Sequence, residues 1–370
     1  MGRRGRQNRM SGAGIVEVSM KQQIKKIWII LLCVCICAGL WACGTAEDRK
    51  ENSSPAGTVL SETEDTMTIV DQAGREVTVK KEPESIALCY RVVVRFLLNL
   101  EQGDKITGIG KTEDFLEEVQ PSLKDCMDVG KGVADIEALA ELKPDLFFHK
   151  ASDIETLEAV EEIGIPAVGI DVETPENMEE AVLLMGKVCN AEERAQELIA
   201  FYDKQIAEVE EMTAGIKEKK TAILMGSSIG KVADSSMLQG EMIKRAGGEN
   251  CADELEVAEF WPTVGTEQIF AWDPDYIFIT GSESAVYSAE DLLKDPAWSE
   301  LKAVKKKHVY VVPAEKDSWE FPGIVSTLGI DYMLHTMYPE RMSKKELEKR
   351  VDSFYRFAYG RTFSKEELGY

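Results

Sequence analysis

Two stretches in opposite halves of the chain share one pattern, and that pattern constrains the fold more than any other feature. Asp135-Ile136-Glu137 is followed by Ala138–Lys143 and then by Pro144-Asp145-Leu146-Phe147-Phe148. Thr266-Glu267 is followed by Gln268–Asp273 and then by Pro274-Asp275-Tyr276-Ile277-Phe278. In both, a glutamate stands seven residues before a Pro-Asp pair that opens an apolar run. Proline cannot continue a helix, and a short apolar run after it reads as a buried strand. Each unit is thus predicted as an N-capped helix, a proline stop and a strand. One copy in each half argues for duplicated lobes.

The surrounding segments keep the same rhythm. Ile86–Cys89, Ile106–Ile109, Leu146–Phe148 and Ala167–Ile170 are short apolar runs, with helix-period stretches such as Val92–Leu100 and Ile154–Ile163 between them. The alternation returns with Thr221–Met225, Tyr276–Thr280 and Val309–Val312. Strand, helix, strand in this order predicts an α/β fold built on largely parallel sheets. The first lobe is expected over residues 67–173 and the second over 219–370, the latter closing with C-terminal helices. Between them, 174–218 carries Met178, Val182, Met185, Val188, Ala195, Leu198, Tyr202, Ile206 and Val209 at a helical period. A single connecting helix of that span would be about 60 Å long; Cys189-Asn190-Ala191 is where it would break. The expected plan is two parallel-sheet α/β lobes joined by one long helix, with a ligand cleft between them. Phe354, Tyr355, Phe357 and Tyr359 form the apolar face of a charged C-terminal helix, expected to pack on the second lobe.

Upstream of the lobes the chain is of another kind. Lys21, Lys25 and Lys26 precede an apolar run from Ile27 to Leu40, and Leu40-Trp41-Ala42-Cys43 resembles a bacterial lipobox. The run is shorter than the roughly 20 residues needed to span a bilayer, so residues 1–42 read as a signal peptide, with Met20 a plausible start. Trp41 stands where a small residue is usual. Cys43 is then the lipidated first residue of the mature chain, and the Ser/Thr/Glu-rich stretch 43–66 a solvated tether to the membrane. Removing 1–42, with seven basic and one acidic side chains, leaves 36 basic against 65 acidic, a net charge near −29. So acidic a chain does not bind nucleic acid through its phosphates. Cys89, Cys126, Cys189 and Cys251 lack metal-site or CxxC spacing and read as small buried hydrophobes.

With these pieces in order, the chain resembles the periplasmic-binding proteins of ABC importers for iron-siderophore complexes, haem and cobalamin. The resemblance begins at Asp71–Val77, runs through Glu137–Phe148, Arg245–Asn250 and Glu267–Phe278, and closes at Trp298–Pro313. It implies a monomer that captures a metal chelate or corrinoid and needs no cofactor of its own. It also implies that one glutamate per lobe, here Glu137 and Glu267, docks on arginines of the permease. From the residues alone, each glutamate would simply offset a helix dipole.

In parallel α/β folds ligands gather where the strand C-termini and their loops converge. Following strands to their ends gives the candidate ligand-binding residues Tyr90, Arg91, Lys131, His149, Lys150, Ser227 and Ser282. The loops Glu259–Pro262 and Asp317–Pro322 add Trp261 and Trp319, which offer faces for a flat or macrocyclic ligand. Arg91 directly after an apolar strand suits a carboxylate or catecholate. No GxSxG, HExxH, P-loop or complete GxGxxG motif is present, so an enzyme is not expected. A free transition-metal site would call on several histidines, and the chain has three. A ligand-presenting sensor on the same fold is the remaining alternative.

Overall fold

The computed structural model describes residues 54–370 except 112, 256–259 and 283–284. The signal peptide, Met20 and Cys43 lie outside the described residues, as does Glu259. A small antiparallel sheet of β1 (Val59–Glu62), β2 (Thr66–Val70) and β3 (Glu76–Lys80) comes first. It starts inside the stretch expected as tether, so the ordered chain begins earlier than residue 67. In β3, alternate Val77 and Val79 are buried while Glu76, Thr78 and Lys80 face out, the period of a one-sided sheet.

The first parallel sheet has β4 (Ile86–Leu88), β5 (Ile106–Ile109), β6 (Leu146–Lys150) and β7 (Ala167–Ile170), in the order β5-β4-β6-β7. Helix α1 (Val92–Asn99) follows β4, α2 (Ile136–Leu142) precedes β6, and α3 (Pro175–Val188) follows β7. The expected single connector is two helices: Asn190 takes a positive φ of 57°, and α4 (Glu192–Thr213) folds back along α3. A side chain on Gly186 would come within 2.4 Å of Ala195 Cβ, so the hairpin closes only because glycine stands there. The rod between the lobes is therefore α4 alone, about 33 Å by its 22 residues.

The second parallel sheet contains β8 (Thr221–Met225), β9 (Glu249–Asn250), β10 (Tyr276–Ile279) and β11 (Val309–Val311), ordered β11-β10-β8-β9. Read from the β9 edge, the strand sequence in space is second, first, third, fourth, as it is in the first sheet. The shared signature falls at the same place in both. Helix α5 (Leu238–Arg245) leads into β9, and α6 (Thr266–Trp272) leads into β10 as α2 leads into β6. Lys143 and Asp273 end α2 and α6 in the left-handed conformation at φ 50° and 42°. The aspartate after each proline then clamps the neighbouring strand. Asp145 Oδ2 accepts from the amides of Glu84 and Ser85 at 2.8 and 3.2 Å, and Asp275 Oδ2 from the amide and hydroxyl of Thr221 at 3.3 and 3.2 Å.

The C-terminal helices α7 (Ser326–Met337) and α8 (Lys344–Tyr359) complete the described chain, apart from a last short turn. The aromatic face of α8 does not pack on the second lobe alone. Phe115 of the first lobe meets Tyr355, Tyr359 and Phe363 edge-on at 6.3, 5.3 and 5.6 Å, and Phe357 stacks on Phe201 of α4 at 4.2 Å. Arg194 of α4 donates to the carbonyls of both Asn99 and Phe357 at 2.9 Å. The α8 stripe thus seals the seam between the lobes, because aromatic area is available there from both sides.

Candidate functional site

The C-terminal ends of both parallel sheets face one cleft. Its outer part, about 590 Å³, is lined from the first lobe by Arg91, Lys111, Glu113 and Lys131, and from the second by Ser282, Lys316 and Phe321 among others. Its inner part, about 310 Å³, is lined by Tyr90, Glu173, Ser227, Lys231, Trp261, Glu320 and Phe321 among others. Ser282 and Phe321 belong to both parts, so the two are continuous. These volumes fall in the range that takes small ligands, roughly 300–1,000 Å³.

Six of the sequence candidates meet here: Tyr90, Arg91, Lys131, Ser227, Trp261 and Ser282. Tyr90 and Arg91 are carried there by β4, whose three residues are fully buried. Arg91 holds Glu113 at 3.5 Å, and the same carboxylate takes Arg95. Arg95, buried on α1, reaches across to Asp317 of the second lobe, a charged bond between the halves directly behind the cleft. Trp261 stands at φ 54° and lies over Gly226, where a Cβ would meet its ring at 2.7 Å. That glycine is what lets the indole lie flat on the floor.

Three candidates are not at the cleft. Trp319 is fully buried, donates its Nε1–H to the Tyr355 hydroxyl at 3.0 Å and packs on Tyr370 at 4.9 Å. It holds the C-terminal helices together; the loop that carries it presents its neighbours Glu320 and Phe321 to the cleft instead. His149 is also buried, with Nδ1 3.0 Å from Cys89 Sγ and Nε2 2.8 Å from Asp153. A pleated strand turns successive side chains to opposite faces, and His149 faces the start of the following helix at Asp153 rather than the cleft. Lys150 pairs with Glu173 at 2.9 Å and does not line the cavity. Among the residues that sequence reasoning passed over, Lys111 follows β5 and was within reach of the strand-end rule. Lys231 sits beyond a turn and Gln239 in the first turn of α5, and nothing in their spacing marks them.

Lys111, Lys131 and Lys231 have no carboxylate within ion-pairing distance among the described residues, and neither do the rim acids Asp114 and Glu315 have a cation. Burial raises the Tyr90 phenol, with the charges of Glu173 and Asp171 adding to it, so it stays a neutral donor. Burial likewise pushes the Cys89 and Cys189 thiols up to about 12, which leaves them unreactive. Among the described residues the four cysteines are free, and no group of three or more metal-ligating side chains occurs.

Glu137 and Glu267 sit elsewhere. Each is exposed in the first turn of its helix, α2 or α6, with no ion-pair partner among the described residues. The turn before each helix is pinned near the strand C-termini: the Gly132 amide to the Cys89 carbonyl and the Val264 amide to the Gly230 carbonyl, both at 2.8 Å. The two acids therefore stand one per lobe on the face where the cleft opens.

The sequence profile of the periplasmic binding protein family matches residues 86–316. The chain belongs to that family. This binding protein is a solute-binding component of the kind that serves ABC importers outside the cytoplasm, and not an enzyme. It is 24% identical to an uncharacterized ABC transporter substrate-binding lipoprotein of Bacillus subtilis, over 85% of this chain and 97% of the relative. It is 25% identical to the iron-uptake system-binding protein of the same organism, over 78% and 91%. Among solved structures, the molybdate-bound molybdate-binding protein of Haemophilus influenzae superposes with a TM-score of 0.70 at 19% identity, covering 80% of this chain and 99% of that one. At that identity the superposition speaks for the fold. No helix among the described residues is long and apolar enough to cross a membrane.

Proposed function

We propose that this binding protein captures an iron chelate (a siderophore complex or haem) or a corrinoid between its lobes and hands it to an ABC permease. The carrying observation is the two-part cleft at the strand C-termini, where Arg91, Lys111, Lys131 and Lys231 stand beside the faces of Tyr90, Trp261 and Phe321. Cations gathered on so acidic a chain suit an anionic ligand, and the aromatic faces suit its apolar or flat portion. Relatives named for iron(3+)-hydroxamate and vitamin B12 binding support the same class. A small oxyanion is the second reading, favoured by the modest volume of the inner cavity and by the molybdate-binding relative. The protein works as a monomer tethered to the outer face of the cell membrane through a lipid on Cys43, and Glu137 and Glu267 dock on the permease.

The test is a titration of the lipid-free domain with ferrioxamine, ferric citrate, haemin, cyanocobalamin and molybdate. At least one should bind below about 10 μM, a free energy near −7 kcal/mol; weaker binding by all of them sinks the reading. Replacing Glu137 and Glu267 together by Ala should leave that affinity unchanged and reduce uptake in cells at least tenfold. Two ion pairs that form at one lobe spacing are lost together. Unchanged uptake would remove the two glutamates from the permease contact.

A further inference from the structure

The inner cavity has a buried acid on its wall that no cation neutralises. Glu320 is 2% exposed, and its Oε1 accepts the hydroxyl of Thr280. The backbone amides of Gly281 and Ser282 also turn toward this carboxyl. Its Oε2 is buried with no hydrogen-bond partner, and no ion pair reaches it among the described residues. The donors gathered on one side leave the second oxygen as the place for a proton. A buried carboxylate without a cation gives up its charge by taking one.

We propose that Glu320 reads the ligand: as an uncharged acid, its carboxyl turned toward the cavity it lines, it donates its Oε2–H to an oxygen of an anionic ligand seated beside Lys231. This rests on the cleft being the ligand site. The groups that face the acid leave little else to discriminate by charge. Lys231, Glu173 and Tyr90 line the same cavity, but Glu173 is held by Lys150 and Tyr90 is neutral. Tyr287 feels the charge of Glu320 and is itself pushed up by burial, while its hydroxyl is spent on the Gly226 carbonyl. Arg91 and Lys131 belong to the outer part. Among the described residues the inner cavity thus offers one free ammonium and one carboxylic acid, a pair that welcomes an anion only while the acid keeps its proton.

Burial pushes the Glu320 carboxyl up to about 7, against the opposing pull of Thr280, Gly281 and Ser282. A ligand that needs the protonated form binds fully below that value. Its affinity falls about tenfold between pH 6 and pH 8 as the proton is lost.

The experiment has two arms on the lipid-free domain. Infrared difference spectra, wild type minus Glu320→Gln, taken from pH 5 to 9 should show a protonated-carboxyl C=O band that titrates near neutrality; buried Asp331, whose carboxyl burial pushes up to about 6, contributes to both proteins and cancels. Absence of that band overturns the proposal whatever binds. Titration with molybdate, ferric citrate and haemin should give the tenfold loss from pH 6 to 8 in the wild type and a flat profile in Glu320→Gln, whose amide remains a donor at every pH. Molybdate keeps its own charge throughout this range. A flat or rising wild-type profile, or the same slope in Glu320→Gln, overturns the proposal. Binding of cyanocobalamin alone overturns it while the import reading stands. Silence from every ligand sinks the import reading, and the recognition role with it.

Discussion

At the scale of single residues, a few small contacts decide what the cleft presents. Gly226 is the clearest case, because its missing side chain is the space that Trp261 fills. Gly226→Ala should lift the indole and weaken ligand binding by about tenfold, roughly 1.4 kcal/mol, with a normal circular dichroism spectrum. An unchanged affinity would show that Trp261 does not touch the ligand. Sequence reasoning reached loops that line the cleft, but not always the side chain that faces it. The segment Asp317–Pro322 does meet the cleft, yet Trp319 turns away to Tyr355 while Glu320 and Phe321 line the inner cavity. No periodicity distinguishes these neighbours, since an irregular loop has none. His149 erred for a related reason: a strand end marks a position but not which face its side chain takes.

At the scale of elements, the shared Pro-Asp signature has a mechanical role. Proline ends the helix and a left-handed residue turns the chain. The aspartate then binds amides at the start of the strand beside it. Asp145 is partly desolvated, but the amides of Glu84 and Ser85 together with Lys80 hold its carboxyl below the usual range. Its contribution is accordingly present above the unfolded value and lost as pH falls through the folded one. Asp145→Ala should cost about 1–2 kcal/mol at pH 7 in urea unfolding. The difference from wild type should shrink toward pH 3; a constant difference would show that the charge is not the cause. The helices were legible from their period, with one error of extent. The break falls at Cys189–Ala191, where the sequence allowed one, but the 174–218 pattern keeps its phase through it, so the break is legible and the reversal of direction is not. The tight approach of Gly186 to Ala195 announces it, and that is a contact between residues of different helices.

At the scale of the whole molecule, the two lobes are bound more closely than a single connector would bind them. Arg95 to Asp317 crosses the cleft floor, and Arg361 and Lys316 both reach Glu118 of the first lobe. The aromatic stripe of α8 closes the seam beside α1 and α4. Calorimetry should therefore show one unfolding transition, with calorimetric and van't Hoff enthalpies in agreement; two resolved transitions would mean that the lobes unfold independently. The sequence by itself determined the α/β class, the duplication and the strand ends where the cleft lies, because these follow from local periodicity and from one repeated turn. The identity of the residues meeting in the cleft was decided by the tertiary structure. So were the fold-back of α3 on α4 and the two-lobe footing of the C-terminal helix. Each depends on which surfaces are brought together across long stretches of chain, and on side-chain directions that a linear pattern does not carry.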